Sequence, residues 1–141
     1  MKLNKECIRD VLLYIEEHCI FENDKRFGRM LHQVSLNELL KAEQTSKYSY
    51  DDLHYTLEKM FEGRYIDGHY IPNNAPHTFN IARVDALTLR GHDLLDNIRP
   101  EPVWNETKSV LQKVGDFSLG ILSQVAGEIM AVYTKKMMGL E

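Results

Sequence analysis

The stretch that decides the fold runs from residue 49 to residue 99. It reads SYDDLHYTLEKMFEG (49–63), RYIDGHYI (64–71), PNNAPH (72–77), TFNIARV (78–84), DA, and LTLRGHDLLDNIR (87–99). Ser49 is an N-cap residue followed by Asp51 and Asp52, where the helix dipole favours negative charge. Tyr50, Leu53, Leu57, Met60 and Phe61 then share one face of a 3.6-residue period, and Gly63 is expected to end the helix in the left-handed C′ position. Two strands follow, with Phe79 and Ile81 on one face of the second and turn chemistry between Pro72 and Pro76. Thr88 caps a closing helix whose Leu94, Leu95 and Ile98 point inward. Helix, two-stranded wing, helix is the second half of a winged-helix domain. The expected fold class is mainly α within α+β: a winged-helix-like core over residues 1–99 and a C-terminal helical tail over residues 100–141.

The upstream segment supplies the first half. Asn4 caps a helix to about His18 or Cys19, with Ile8, Val11, Leu12, Ile15 and Cys19 on its inner face. Ser35 and Glu38 form a capping-box pattern at the head of a short helix. Residues 21–34 between them carry mixed charge and read as an irregular connection. Pro100 and Pro102 mark a boundary, after which residues 103–113 read as helical. The helix bends at Gly115 or restarts there with Asp116 as its cap. Residues 117–137 are the most apolar of the chain, and Gly120, Ser123, Gly127 and Ala131 form a ridge of small residues on the side away from the larger apolar ones.

The blocks LNKECIRDVLLYIEEH, YSYDDLHYTLEKMFEGRYID, ALTLRGHDLLDNIR and VWNETKSVLQKVGDFSLGILSQVA together resemble a family of small, functionally uncharacterised bacterial proteins found in prophage and phage-linked gene neighbourhoods. Its most specific run, LT-x-x-G-H-x-x-L-D-x-I-R-x-x-x-x-W, lies at residues 87–104. The resemblance implies a winged-helix-like core with a helical tail. It implies no catalytic residue and no partner.

Charge narrows the functional classes. With 17 Lys and Arg against 21 Asp and Glu, the formal net charge is −4, the opposite of the basic surplus that phosphate-backbone binders usually carry. The outward face of the third helix offers Asp51, Asp52, Glu58 and Glu62 against Lys59, with His54 and Tyr55 among them. Asp51, His54, Tyr55, Glu58 and Glu62 therefore form an expected interaction surface, set against the bland alternative of a solvated acidic face. Nucleic-acid contacts are confined to the edges, at Lys47, Lys59, Arg64 and Arg83. A DNA-binding regulator is the runner-up reading.

No enzyme is expected. Asp51/Asp52 and Asp93/Asp96 have the spacing of routine helix surfaces, and no phosphate-binding glycine loop is present. His69 and His77 face each other across the wing but lack a third ligand, so no metal and no cofactor are expected. Cys7 and Cys19 lie more than three turns apart on one helix and cannot bridge. With a charged N-terminus and unpaired thiols, a cytoplasmic location is expected. The tail is expected to join copies of the chain into a homo-oligomer through Gly120, Leu122, Ser123, Val125, Gly127, Ile129 and Ala131. A membrane-active oligomer through residues 117–134 is a second alternative, weakened by Glu128 in mid-run. The partner protein itself is not named by the sequence.

Overall fold

A computed structural model describes residues 1–71 and 81–140. Helix α1 (Lys5–His18) starts where the Asn4 side chain accepts from the Cys7 N–H at 3.2 Å. An antiparallel hairpin follows, β1 (Phe21–Asp24) and β2 (Gly28–Leu31). Next come a two-residue strand β3 (Val34–Ser35), α2 (Leu36–Lys41) and α3 (Tyr50–Glu62). The antiparallel pair β4 (Ile66–Ile71) and β5 (Ile81–Leu87) leads into α4 (Leu89–Ile98). Helices α5 (Glu101–Val114) and α6 (Leu119–Met137) complete the chain. The fold is α+β, with the helical C-terminal segment expected from the sequence.

The connection over residues 21–34 is not irregular. It holds the β1–β2 hairpin and then β3, which pairs with β5 and makes a three-stranded sheet in the order β3-β5-β4. The hairpin's turn has a local cause. The Asp24 carboxylate accepts from the Arg26 and Phe27 N–H groups at 2.7 and 3.1 Å, and Gly28 takes φ 77 where the chain turns back. Periodicity gave no warning, because β1 is exposed along its whole length and β2 nearly so.

Side-chain caps set the other boundaries. Ser35 Oγ accepts from the Glu38 N–H, Ser49 from Asp52 and Thr88 from Gly91, all at 3.1–3.2 Å. The capping box at Ser35 is only half formed. Glu38 turns away to accept the Tyr14 hydroxyl at 2.5 Å and lies 2.9 Å from His32 Nε2. At the end of α3, Gly63 is not the left-handed residue: its φ is −82, and Arg64 takes φ 61. The Tyr65 N–H donates to the Met60 carbonyl and the Arg64 N–H to that of Phe61, the two bonds of a Schellman motif with Arg64 at C′. Gly63 answers a different need, since a Cβ there would lie 2.7 Å from the Tyr65 ring. Helix α6 restarts with Ser118 as its cap, not Asp116; Ser118 Oγ accepts from the Ile121 N–H at 3.1 Å.

One buried cluster links all the layers. Ile8, Leu12 and Ile15 of α1 meet Leu53, Leu57 and Met60 of α3, Val84 of β5, and Leu95 and Ile98 of α4. Trp104, Leu111, Leu119, Leu122 and Ala126 of α5 and α6 belong to the same cluster. Arg9 fastens the junction: it donates to the Ile98 and Arg99 carbonyls at 3.1 and 2.9 Å and to Glu101 at 3.1 Å, with its guanidinium 5.5 Å from the Trp104 ring centre. Tyr50, expected inward, is 49% exposed. The inward side chains of β5 are Ala82, Val84 and Leu87. The expected face of Phe79 and Ile81, the turn at residues 72–76 and the His69–His77 pair all fall, wholly or in part, outside the described residues.

Candidate functional site

The outward face of α3 is built by its cap and its amphipathic period. With Leu53, Thr56, Leu57 and Met60 buried, Asp51 and Glu62 are left exposed, and Asp52, His54, Tyr55, Glu58 and Lys59 half-buried. Lys59 is the cation of this face and is already committed. Its Nζ lies 2.9 Å from Glu62 and 5.5 Å from the Tyr55 ring centre. Asp52 receives the Asn4 side-chain amide at 3.4 Å.

A groove lies on each flank of the helix. Towards β4, Glu58, Phe61, Glu62 and Tyr70 line an open groove of about 460 Å3. Its aromatic lining is Phe61 stacked on Tyr70 at 5.4 Å; outside the groove, His54 lies 6.1 Å from Tyr70 and stacks on Tyr50 at 5.9 Å. Burial, and after it the Glu58 charge, raises the Tyr70 phenol above its ordinary pKa, so it remains a neutral donor. Towards the tail, Leu3, Tyr55, Lys59, Glu62 and Phe117–Leu119 line a second groove of about 430 Å3. Phe117 and the head of α6 therefore stand beside α3 and narrow access to it. This arrangement offers carboxylates around aromatic floors. It suits cationic and apolar groups and repels phosphate.

The residues expected to help nucleic-acid binding are dispersed. Lys47 pairs with Asp10 at 3.2 Å, behind the face rather than on it. Arg64 is exposed at the end of α3, its carbonyl accepting from the Thr88 hydroxyl at 2.6 Å. Arg83 is exposed on β5, in register with Ser35 and His69.

The α6 residues expected to join subunits are engaged largely within the chain. Leu122 is fully buried, Ser123 Oγ is 2.8 Å from the Tyr65 hydroxyl, and Val125 packs against the core. Gly127 faces Asn97 of α4 without tight contact, a Cβ there lying 3.8 Å from the Asn97 amide nitrogen. Gly120 and Ala131 are exposed and Ile129 half-buried. Among the described residues, including those of the expected membrane-active run 117–134, no helix is long and apolar enough to cross a membrane. Burial pushes both cysteine thiols up to about 11, and both are free. No group of three potential metal ligands gathers among the described residues.

The hairpin is the surface that sequence reasoning missed. Phe27 at its tip is 71% exposed and Phe21 on β1 is 58% exposed. Lys25 and Arg26 flank the tip, and Arg29 lies over the Phe21 ring at 5.3 Å. The available signal was DKRFG at residues 24–28, a turn-forming Asp and Gly around two cations and a phenylalanine.

The family described as "Hypothetical protein (DUF2513)" matches residues 2–117. A protein of Haemophilus influenzae described as "Uncharacterized protein" is 46% identical over 52 residues, covering 36% of this chain and 42% of that relative. The chain thus spans less than half the length of that relative in the matched region. No solved structure matches.

Proposed function

The chain belongs to the DUF2513 family, and we propose that it is a non-enzymatic, cytoplasmic interaction module with a winged-helix-like core, whose α3 face docks a basic partner segment. The order of elements supports the winged-helix reading: one helix, then after the added β1–β2 hairpin an edge strand, two helices and two antiparallel strands, with the sheet arranged β3-β5-β4. The observation that carries the docking role is the composition of the helix that a winged helix would offer to DNA. Glu58 and Glu62 line the groove with Phe61 and Tyr70, Asp51 adds a third carboxylate in the first turn of the same helix, and Lys59 is already paired with Glu62. The resemblance to phage-linked proteins supports a regulatory setting, and the free thiols a reducing compartment.

The test is a pair of titrations at several salt concentrations, one with a Lys/Arg-rich peptide and one with duplex DNA. Peptide binding that is lost in the double variant Glu58→Lys, Glu62→Lys is the expected result. Tight DNA binding by the wild type that weakens steeply with salt would instead establish the DNA-binding regulator.

A further inference from the structure

We propose that the basic partner segment is the β1–β2 hairpin of a second copy of this chain, so that the protein associates head to tail. The proposal rests on the α3 face being a docking surface and names its occupant.

Two surfaces on the chain complement one another. The hairpin presents Phe27 at its tip with Lys25 and Arg26, and Phe21 with Arg29 on one face of the ribbon, while Met30, 44% exposed, lies with Glu22 on the other face. Phenylalanine, methionine and arginine are the residues enriched where proteins meet, and a hairpin this exposed leaves much of their surface open to solvent. The groove beside α3 is floored by Phe61 and Tyr70 and edged by Glu58 and Glu62. An apolar tip between cations matches an aromatic floor between carboxylates.

Topology keeps the two apart within one molecule. The hairpin leads directly into β3, one edge of the three-stranded sheet. The groove belongs to β4, the opposite edge, through Tyr70. The hairpin's anchors stay on the β3 side: the His32 N–H donates to the Ile20 carbonyl at 2.9 Å, and Gln33 bonds the Asp85 carboxylate at 2.5 Å. The contact is therefore made in trans. It joins two different patches, so it is heterologous and continues into a ring or an open chain of subunits. A nucleic acid is the other partner a basic hairpin suits. Glu22 and Asp24 on the same ribbon and the net charge of −4 favour the protein.

The experiment is sedimentation of the full-length chain over a concentration series. Two variants accompany it, Arg26→Glu with Phe27→Ser in the hairpin and Glu58→Lys with Glu62→Lys in the groove. Both sets lie on the surface, and far-UV circular dichroism checks that each variant is folded. The wild type is expected to self-associate, and each variant to associate more weakly by roughly tenfold or more. Mixing the two variants in equal amounts is the decisive arm. One intact hairpin then meets one intact groove, and assembly stops at a dimer. A wild type that stays monomeric at every concentration overturns the proposal, as does an oligomer that both variants retain. If such a monomer still binds a Lys/Arg-rich peptide through Glu58 and Glu62, the docking role stands and only the self-association fails. If the hairpin variant loses binding to DNA instead, the hairpin is a nucleic-acid arm and the proposal is wrong.

Discussion

Replacing Gly91 with alanine should destabilise the protein, although the residue sits inside a helix where alanine is the better former. A Cβ on Gly91 would lie 2.0 Å from the Tyr65 carbonyl oxygen, 3.1 Å from its carbon and 3.5 Å from the Leu87 Cβ. The obstacle is backbone, so no rotamer change relieves it. Either α4 (Leu89–Ile98) retreats from the end of α3 or the chain at Tyr65 moves. The same carbonyl accepts the Thr88 N–H at 3.1 Å, and a shift stretches that bond too. Helix propensity returns about 1 kcal/mol. Overpacking costs about 1–3 kcal/mol, and the weakened hydrogen bond about 1 kcal/mol more. The net loss is therefore roughly 1–3 kcal/mol, equivalent to a fall in Tm of about 3–9 °C for a chain of this size. Guanidinium denaturation measures it, with the midpoint falling and the slope unchanged. Gly127→Ala is the internal control. Its Cβ meets only the Asn97 amide nitrogen at 3.8 Å, an ordinary contact, so stability should hold or rise. Gly91→Ala leaving the midpoint unmoved, or both variants shifting it equally, would refute the argument from close approach.

Other substitutions test other joints. Arg9→Ala removes the donor to the Ile98 and Arg99 carbonyls and to Glu101; it should cost about 2–4 kcal/mol in the same denaturation assay, with Arg9→Lys recovering only part. Arg64→Gly should raise stability by about 0.5–1 kcal/mol, because relief of the left-handed φ of 61 exceeds the added unfolded-state entropy. The hydrogen bond from Arg99, at 2.6 Å, is the main cause holding Glu16 below the usual carboxylate range. Since the folded pKa is depressed, the resulting stability is present above the unfolded glutamate pKa and is lost as pH falls through the folded one. Both side chains are partly exposed, so the effect stays within about 1 kcal/mol. Glu16→Gln should flatten that part of the acid limb in thermal melts across a pH series.

What the sequence made legible was whatever depends on neighbours in the chain. Asn4, Ser35, Ser49 and Thr88 each act on an N–H three residues away, so their caps can be read from spacing. The outward position of Asp51, Glu58 and Glu62 follows from the period that buries Leu53, Leu57 and Met60. Groups set by distant strands were beyond such reasoning. Tyr70 joins the α3 face only because β4 pairs with β5 in a register that slips between Asp67 and Gly68, and no spacing within residues 64–71 encodes that irregularity. The β1–β2 hairpin escaped for the opposite reason. Stability normally leaves its mark on sequence as a buried face, and a ribbon exposed along nearly all its length leaves none.

Helix α6 (Leu119–Met137) shows a third kind of limit. An apolar face needs cover, and sequence says so, but periodicity is silent on whether the cover is the same chain or another. For the first half of α6, contacts with distant residues supply cover within the chain. Tyr65, buried just after α3, places its hydroxyl 2.8 Å from Ser123, and swinging α6 away would break that bond and open the apolar surface beneath it to water. Leu119, Leu122 and Ala126 close over the same region. Of the small-residue ridge, Ser123 and Gly127 face Tyr65 and Asn97 of the same chain, and the first half of the helix cannot be given to a partner without opening the core. Groups on the hairpin and around Tyr70 have surface neighbours as partners, Phe21 for Arg29 and Lys59 for Glu62, and these contacts can be exchanged without opening the core. The proposed association draws on surfaces of that kind, the basic hairpin and the acidic groove, and so leaves the fold intact.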